Sequence, residues 1–346
     1  MTKLAIFQLE GLKFVSIFRS LPLLLLLAVS ACGAPDAELV VYSARNEPLI
    51  KPMFDRFTAE TGIRVVFVTD KAEVLMQRLQ AEGENTPADV FLTVDAGNLW
   101  QATQNGLLQP LESDVLIANI PANLRDPENR WFGLSVRART IVYSPERVAG
   151  AELSTYEDLA DEKWRGRLCL RTSKKVYNQS LVAMLIAAHG EDTAEDIVRG
   201  WVANLATDVF ANDTAVLEAI AAGQCDVGIV NTYYFGRLQR DDPGLPVRIF
   251  WPNQGAGGVH VNVSGGGIVT HAENTENARR LLEWLSAGEA QSMFAGSNLE
   301  YPANPAVEPD PDVAAWGAFE PSPLNLARAG ELQRAAVRLM DRAGYR

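Results

Sequence analysis

Two periods of hydrophobic and polar positions alternate along this chain. Residues 39–42 form a short β-rich apolar run, and over residues 49–61 the period lengthens, with Ile50, Met53, Phe54 and Phe57 on one helical face before Gly62. Residues 63–68 then predict a second strand, residues 71–82 a second amphipathic helix, and residues 88–94 a third strand. This βαβαβ rhythm predicts a parallel sheet with helices on its faces.

The rhythm restarts near Val136. Residues 135–143 are a long extended run, followed by the strand signal 168–170, helices beginning near Ser180 and Thr193, and a strand at 227–231. After the glycine-rich stretch 255–267, Ile268-Val269-Thr270 leads into a helix over 274–286, a proline-rich surface loop over 301–311 and a final helix over 324–342. The expected fold is α/β with two lobes and two hinge crossings: residues 32–136 as the first part of lobe 1, 137–255 as lobe 2, and 256–346 as the return to lobe 1 with C-terminal helices. Loops at the carboxyl ends of parallel strands would converge on a cleft suited to a small ligand.

Residues 1–31 read as an export signal. Lys3, Lys13 and Arg19 precede the apolar run 21–29, which is too short to span a bilayer as a mature helix. Val29-Ser30-Ala31-Cys32 resembles a lipobox, which makes Cys32 the expected lipidated N-terminus, with an ordinary signal peptide as the alternative. In an exported compartment Cys169 and Cys225 are candidates for a disulfide, against two buried free thiols. A net charge of −12 and the lack of a Lys/Arg-rich block exclude a nucleic-acid partner. Three histidines, His189, His260 and His271, leave little material for a zinc or di-metal hydrolase, and each is expected on the surface or in a loop.

The candidate chemistry lies in adjacent phenols, Tyr233 and Tyr234, at the exit of the strand 227–231. Tyr143, at the end of the first crossing strand, is expected to face the same cleft. Phenolate is a hard anionic donor, which suits a hard trivalent cation such as Fe3+. A free tyrosine titrates near pH 10, so ionisation near neutrality needs a strong local positive charge, and a bound ferric ion supplies it. The alternative for a Tyr-Tyr pair is half-buried packing. Three phenolates leave coordination positions for carbonate or a similar synergistic oxyanion, gripped by the planar forks of Arg45 and Arg137. Arg139 reads instead as a surface ion pair. Asn231, Thr172, Ser173, Asn178 and Gln179 suit hydrogen bonds behind the ligands, or turns and caps.

Taken together, Val41-Tyr42-Ser43-Ala44-Arg45, Pro87 to Leu92, Arg137 to Tyr143, Tyr177-Asn178-Gln179-Ser180-Leu181 and Asn231-Thr232-Tyr233-Tyr234 resemble, in order, the iron(III)-binding solute-binding proteins of bacterial ABC transporters. That resemblance implies a two-lobed Venus-flytrap fold, Fe(III) with a synergistic anion as cargo, and metal-ligand roles for Tyr143, Tyr233 and Tyr234. It also implies anion contacts at Arg45 and Arg137, a permease and an ATPase as partners, and a monomeric receptor held in the periplasm by its lipid. Family members with a histidine or histidine-tyrosine pair after the first-strand arginine have no match here, where Asn46 and Glu47 stand, and Val94 and Asp95 replace a glutamate ligand. Glu47 is a further carboxylate candidate, against a helix-start residue favoured by the dipole. Two other readings remain open at this point: the same fold binding an oxyanion or small organic acid without metal, and an exported enzyme using tyrosinate-bound iron. The second lacks the His/Asp/Glu clusters it needs.

Overall fold

A computed structural model describes residues 38–346; the export signal and Cys32 lie outside the described residues. Nine strands form one curled sheet: β1 Glu38–Ser43, β2 Arg64–Thr69, β3 Val90–Val94, β4 Phe132–Tyr143, β5 Leu168–Cys169, β6 Val227–Asn231, β7 Arg248–Phe250, β8 Val261–Ile268 and β9 Tyr301–Pro302. The order is β2-β1-β3-β8-β4-β6-β5, with β7 and β9 also pairing to β4. β2, β1 and β3 run parallel, as do β5 and β6, whereas β8 and β4 enter antiparallel.

Local chemistry explains the first elements. The helix Glu47–Thr61 buries Ile50, Met53, Phe54 and Phe57, and Gly62 ends it in the left-handed region at φ 74°, donating its N–H to the Thr58 carbonyl. Only glycine takes that conformation without a steric cost from Cβ.

β4 joins the two lobes. Residues from Phe132 to Ala138 pair with β8, and from Arg139 to Tyr143 with β6. The changeover separates hydrophobic cores. One core collects buried residues over 39–138 and 259–327, among them Phe91, Trp131 and Phe132. A second, with Trp164, Leu181 and Ile229, draws on residues 141–229. A third cluster, with Val216, Ile220 and Val230, packs on the other side of β6. Residues 336–345 also join the second core, because the helix Gln333–Arg342 packs on the helices Val176–His189 and Glu191–Ala203. The end of the chain therefore divides between the lobes instead of returning wholly to the first.

Residues 261–267 of the glycine-rich stretch lie in a buried central strand, β8. A Cβ on Gly265 would stand 2.3 Å from the Phe132 carbonyl oxygen, and one on Gly267 2.1 Å from that of Arg130. Glycine is what lets β4 approach this closely. Cys169 and Cys225 form a disulfide that ties the end of β5 to the turn before β6. Of the histidines, His189 and His271 are exposed, but His260 is buried. Burial, with Arg139 and Arg137 nearby, pushes its pKa down to about 3, so it is a neutral interior side chain and not a surface one.

Candidate functional site

Two strand-to-helix turns of the second lobe deliver phenols to one place. β6 ends at Asn231, and the helix Thr232–Asp241 carries Tyr233 and Tyr234 in its first turn, their ring centroids 4.5 Å apart. β5 leads through the turn 170–175 into the helix Val176–His189, whose first turn carries Tyr177. Tyr177 and Tyr233 lie close enough for each to perturb the ionisation of the other, and Tyr234 raises both.

Tyr143 does not join them. It faces Val227, the first residue of β6, while Asn231 at the other end of β6 faces Arg139. Because β4 and β6 are antiparallel, four residues of strand, roughly 13 Å, separate Tyr143 from the phenol pair. Its ring packs on the second core instead. Tyr177 takes the third position, and its signal was available in the sequence: a tyrosine just after a strand and a polar turn, the context of Tyr233 itself.

Arginines surround the three rings. The guanidinium of Arg137 lies 5.8 Å from the Tyr177 ring, that of Arg171 lies 5.3 Å from Tyr177 and 5.9 Å from Tyr234, and that of Arg237 lies 5.2 Å from Tyr233. Burial holds the Tyr233 hydroxyl well above its ordinary pKa, reinforced by Tyr177 and Tyr234 and opposed by Arg137. Burial likewise raises Tyr177, again against Arg137. Tyr177 and Tyr233 are therefore protonated at neutral pH unless a strongly charged cation enters among them. Among the described residues no cluster of three or more His, Cys, Asp or Glu side chains offers a competing metal site.

Arg45 and Arg137 meet at one buried carboxylate but differ in what they leave free. Arg45 donates to Ser264 Oγ at 2.9 Å, to Glu300 Oε2 at 3.1 Å and to the Phe294 carbonyl at 3.1 Å, with its guanidinium 4.3 Å from the Phe294 ring. These contacts brace Arg45 inside the first lobe and leave its buried Nε without a hydrogen-bond partner. Arg137 donates through Nη1 to Ser264 at 2.9 Å, while its buried Nε and Nη2 have no hydrogen-bond partner. Buried donors left unpaired are costly, so a ligand acceptor at this point would be stabilising. Burial works to raise the Glu300 carboxyl, yet Arg45 and Arg137 hold it below the usual carboxylate range.

Arg139 is fully buried, not a surface residue. It donates to Asn178 Oδ1 at 2.6 and 3.0 Å, to Asp213 Oδ2 at 3.1 Å and to Asn231 Oδ1 at 3.1 Å. Asn231 in turn donates to the Tyr233 hydroxyl at 3.3 Å. Asn178 donates to the carbonyls of Arg171 and Thr172. Ser173 and Gln179 close the same turn, the Gln179 amide donating to the Ser173 carbonyl at 3.3 Å. Asn46 and Glu47 are exposed where their helix begins. Arg171, Arg237, Asp213 and Glu300 were not singled out from sequence; a lone charged residue carries no periodic signal.

Residues 52–321 match the model of the bacterial extracellular solute-binding protein family. The chain belongs to this family. Within it, the chain is 42% identical over 335 residues to iron uptake protein A1 of Synechocystis sp., covering 92% of this chain and 93% of that protein. It is 44% identical over 321 residues to iron uptake protein A2 of the same organism, covering 90% and 91%. Among solved structures it resembles the Trichodesmium protein FutA in complex with iron and citrate, with TM-score 0.87, 44% identity, and coverage of 90% of this chain and all of the other. It also resembles the Mannheimia haemolytica ferric iron-binding protein A in an open conformation, with TM-score 0.84, 37% identity, and coverage of 89% and 99%. These likenesses agree with a first-lobe core and second-lobe clusters joined through β4. A solute-binding protein needs a ligand grip between its lobes, and here Arg137 reaches from the first-lobe part of β4 toward the second-lobe phenols.

Proposed function

We propose that this solute-binding protein captures ferric iron between its lobes through Tyr177, Tyr233 and Tyr234, with an oxyanion held by Arg137, and passes it to a membrane permease driven by an ATPase. The observation that carries this reading is the meeting of three phenols at two strand-to-helix turns beside an arginine with unpartnered donors. Three phenolates match the charge of Fe3+, and hard oxygen donors suit it. Relatives named for iron uptake and ferric-iron binding support the cargo. Carbonate fits the Arg137 fork, and so does a carboxylate of the kind named in the Trichodesmium complex.

Metal entry would displace three phenolic protons, and lobe closure would present a distinct surface to the permease. The protein acts by binding and release, with no bond made or broken in a substrate. The lipobox-like Cys32 supports tethering to a membrane as a lipoprotein.

A second reading, an oxyanion or organic-acid receptor without metal, draws on the same free Arg137 donors. Titration of the mature protein with ferric citrate, with and without bicarbonate, separates them. The expected result is one iron per chain with a visible phenolate-to-iron absorption that is lost in the Tyr233→Phe/Tyr234→Phe double variant. Anion binding that persists in that variant, with a colourless wild type, would establish the second reading instead.

A further inference from the structure

Tyr345 lies beyond the helix Gln333–Arg342, outside every motif that points to the cleft, yet it is buried and its hydroxyl is fully engaged. It donates to the Arg171 carbonyl at 2.6 Å and accepts from the Asn178 amide at 2.8 Å. The next residue adds a second tie, since the Ser173 N–H donates to the Arg346 carbonyl oxygen at 3.0 Å. Both ties hold the short turn between β5 and the helix Val176–His189. Arg171 stands at one end of that turn and Tyr177 just past the other.

The contact continues inward. Asn178 accepts from Arg139, Arg139 donates to Asn231, and Asn231 donates to the Tyr233 hydroxyl, so an unbroken chain of buried hydrogen bonds runs from Tyr345 to the second phenol. Asp213 anchors the middle, 3.1 Å from Arg139 and 3.6 Å from Arg171. Buried hydrogen-bond networks of this kind rigidify what they touch, and their members act together.

We propose that Tyr345 is a positioning residue for the cleft site: its hydroxyl fixes the turn that presents Arg171 and Tyr177, and through Asn178, Arg139 and Asn231 it orients Tyr233. The role rests on the ferric-iron reading above. It differs from ordinary packing of a terminal helix, because the ring of Tyr345 supplies the packing and the hydroxyl alone supplies the link.

Tyr345→Phe separates the two, since it keeps the ring. In metal-free protein, hydrogen exchange over residues 171–178 should quicken while the rest of the chain stays as in wild type. In iron-loaded protein the phenolate-to-iron absorption maximum should move, and loss of iron to a competing chelator should speed up about five-fold, the factor expected for one neutral hydrogen bond. Faster exchange with unchanged absorption and unchanged iron loss would make Tyr345 merely structural and overturn the proposal. Unchanged exchange over 171–178 would overturn it as well. A wild type that takes up iron without colour would instead sink the ferric reading itself, a result distinguishable because it needs no variant.

Discussion

The Ser180 hydroxyl lies 2.9 and 3.1 Å from the two oxygens of the Asp95 carboxylate, joining the helix Val176–His189 of the second lobe to the start of the helix Ala96–Gln104 in the first. Asp95 also accepts from the Gly97 N–H at 2.8 Å and the Asn262 amide at 2.9 Å. Even so, burial dominates, and against the nearby Arg137 it pushes the Asp95 carboxyl up to about 6. An acid whose pKa is higher in the folded state stabilises that state when protonated. This contribution is fully present below about pH 4 and is lost as pH rises through about 6. Asp95→Asn should remove the dependence. Urea denaturation of both proteins at pH 4 and 7.5 should show the wild type losing on the order of 2–3 kcal/mol relative to the variant across that interval. Parallel pH profiles would refute the claim.

The proposed ferric site takes Tyr177 in place of Tyr143, and substitution can test it directly. Tyr177→Phe should weaken ferric binding by more than the roughly 10–100-fold typical of losing an outer-sphere partner, and should diminish the phenolate absorption. Tyr143→Phe should leave both as in wild type. Competition against a chelator of known strength, together with visible spectra, supplies the measurement; an iron-binding defect in Tyr143→Phe would restore the earlier trio.

The free donors of Arg137 make anion dependence the property to follow there. Arg137→Gln should bind iron more weakly and respond little to added bicarbonate or citrate, whereas the wild type tightens when either is supplied. Equal enhancement in the two proteins would remove Arg137 from the anion grip.

Glu300 balances Arg45 and Arg137 inside the first lobe, with Ser135 Oγ donating at 2.5 Å and the Asn298 amide at 2.8 Å. Removing one partner of a buried ion pair leaves a desolvated charge behind. Glu300→Gln should therefore destabilise the protein by about 3–5 kcal/mol, read as a lowered denaturation midpoint. A loss below about 1 kcal/mol, the scale of an exposed pair, would mean that the two arginines are solvated in solution.

Much of the architecture was legible because it repeats. The alternation of strand and helix signals over residues 39–94 located β1, β2, β3 and the helices between them, since each element has to turn an apolar face toward the core. The polar segments were harder to read. β8 carries three glycines in succession and has little apolar periodicity, so its place between β3 and β4 follows only from how closely its neighbours pack.

By itself the sequence determined an α/β chain, the disulfide candidates Cys169 and Cys225, and phenols at a strand exit suited to a hard cation, because periodicity and residue chemistry are local properties. Tertiary structure alone decided which phenols meet. Antiparallel pairing sends Tyr143 to the far end of β6, and the turn after β5 brings Tyr177 beside Tyr233. It also decided that Arg45 is tied to Ser264, Glu300 and the Phe294 carbonyl with only Nε left unpartnered, that Arg137 keeps both Nε and Nη2 free, and that Arg139 lies buried beneath the site. Strand direction and burial arise from contacts between segments far apart in the chain, so no reading of neighbouring residues contains them.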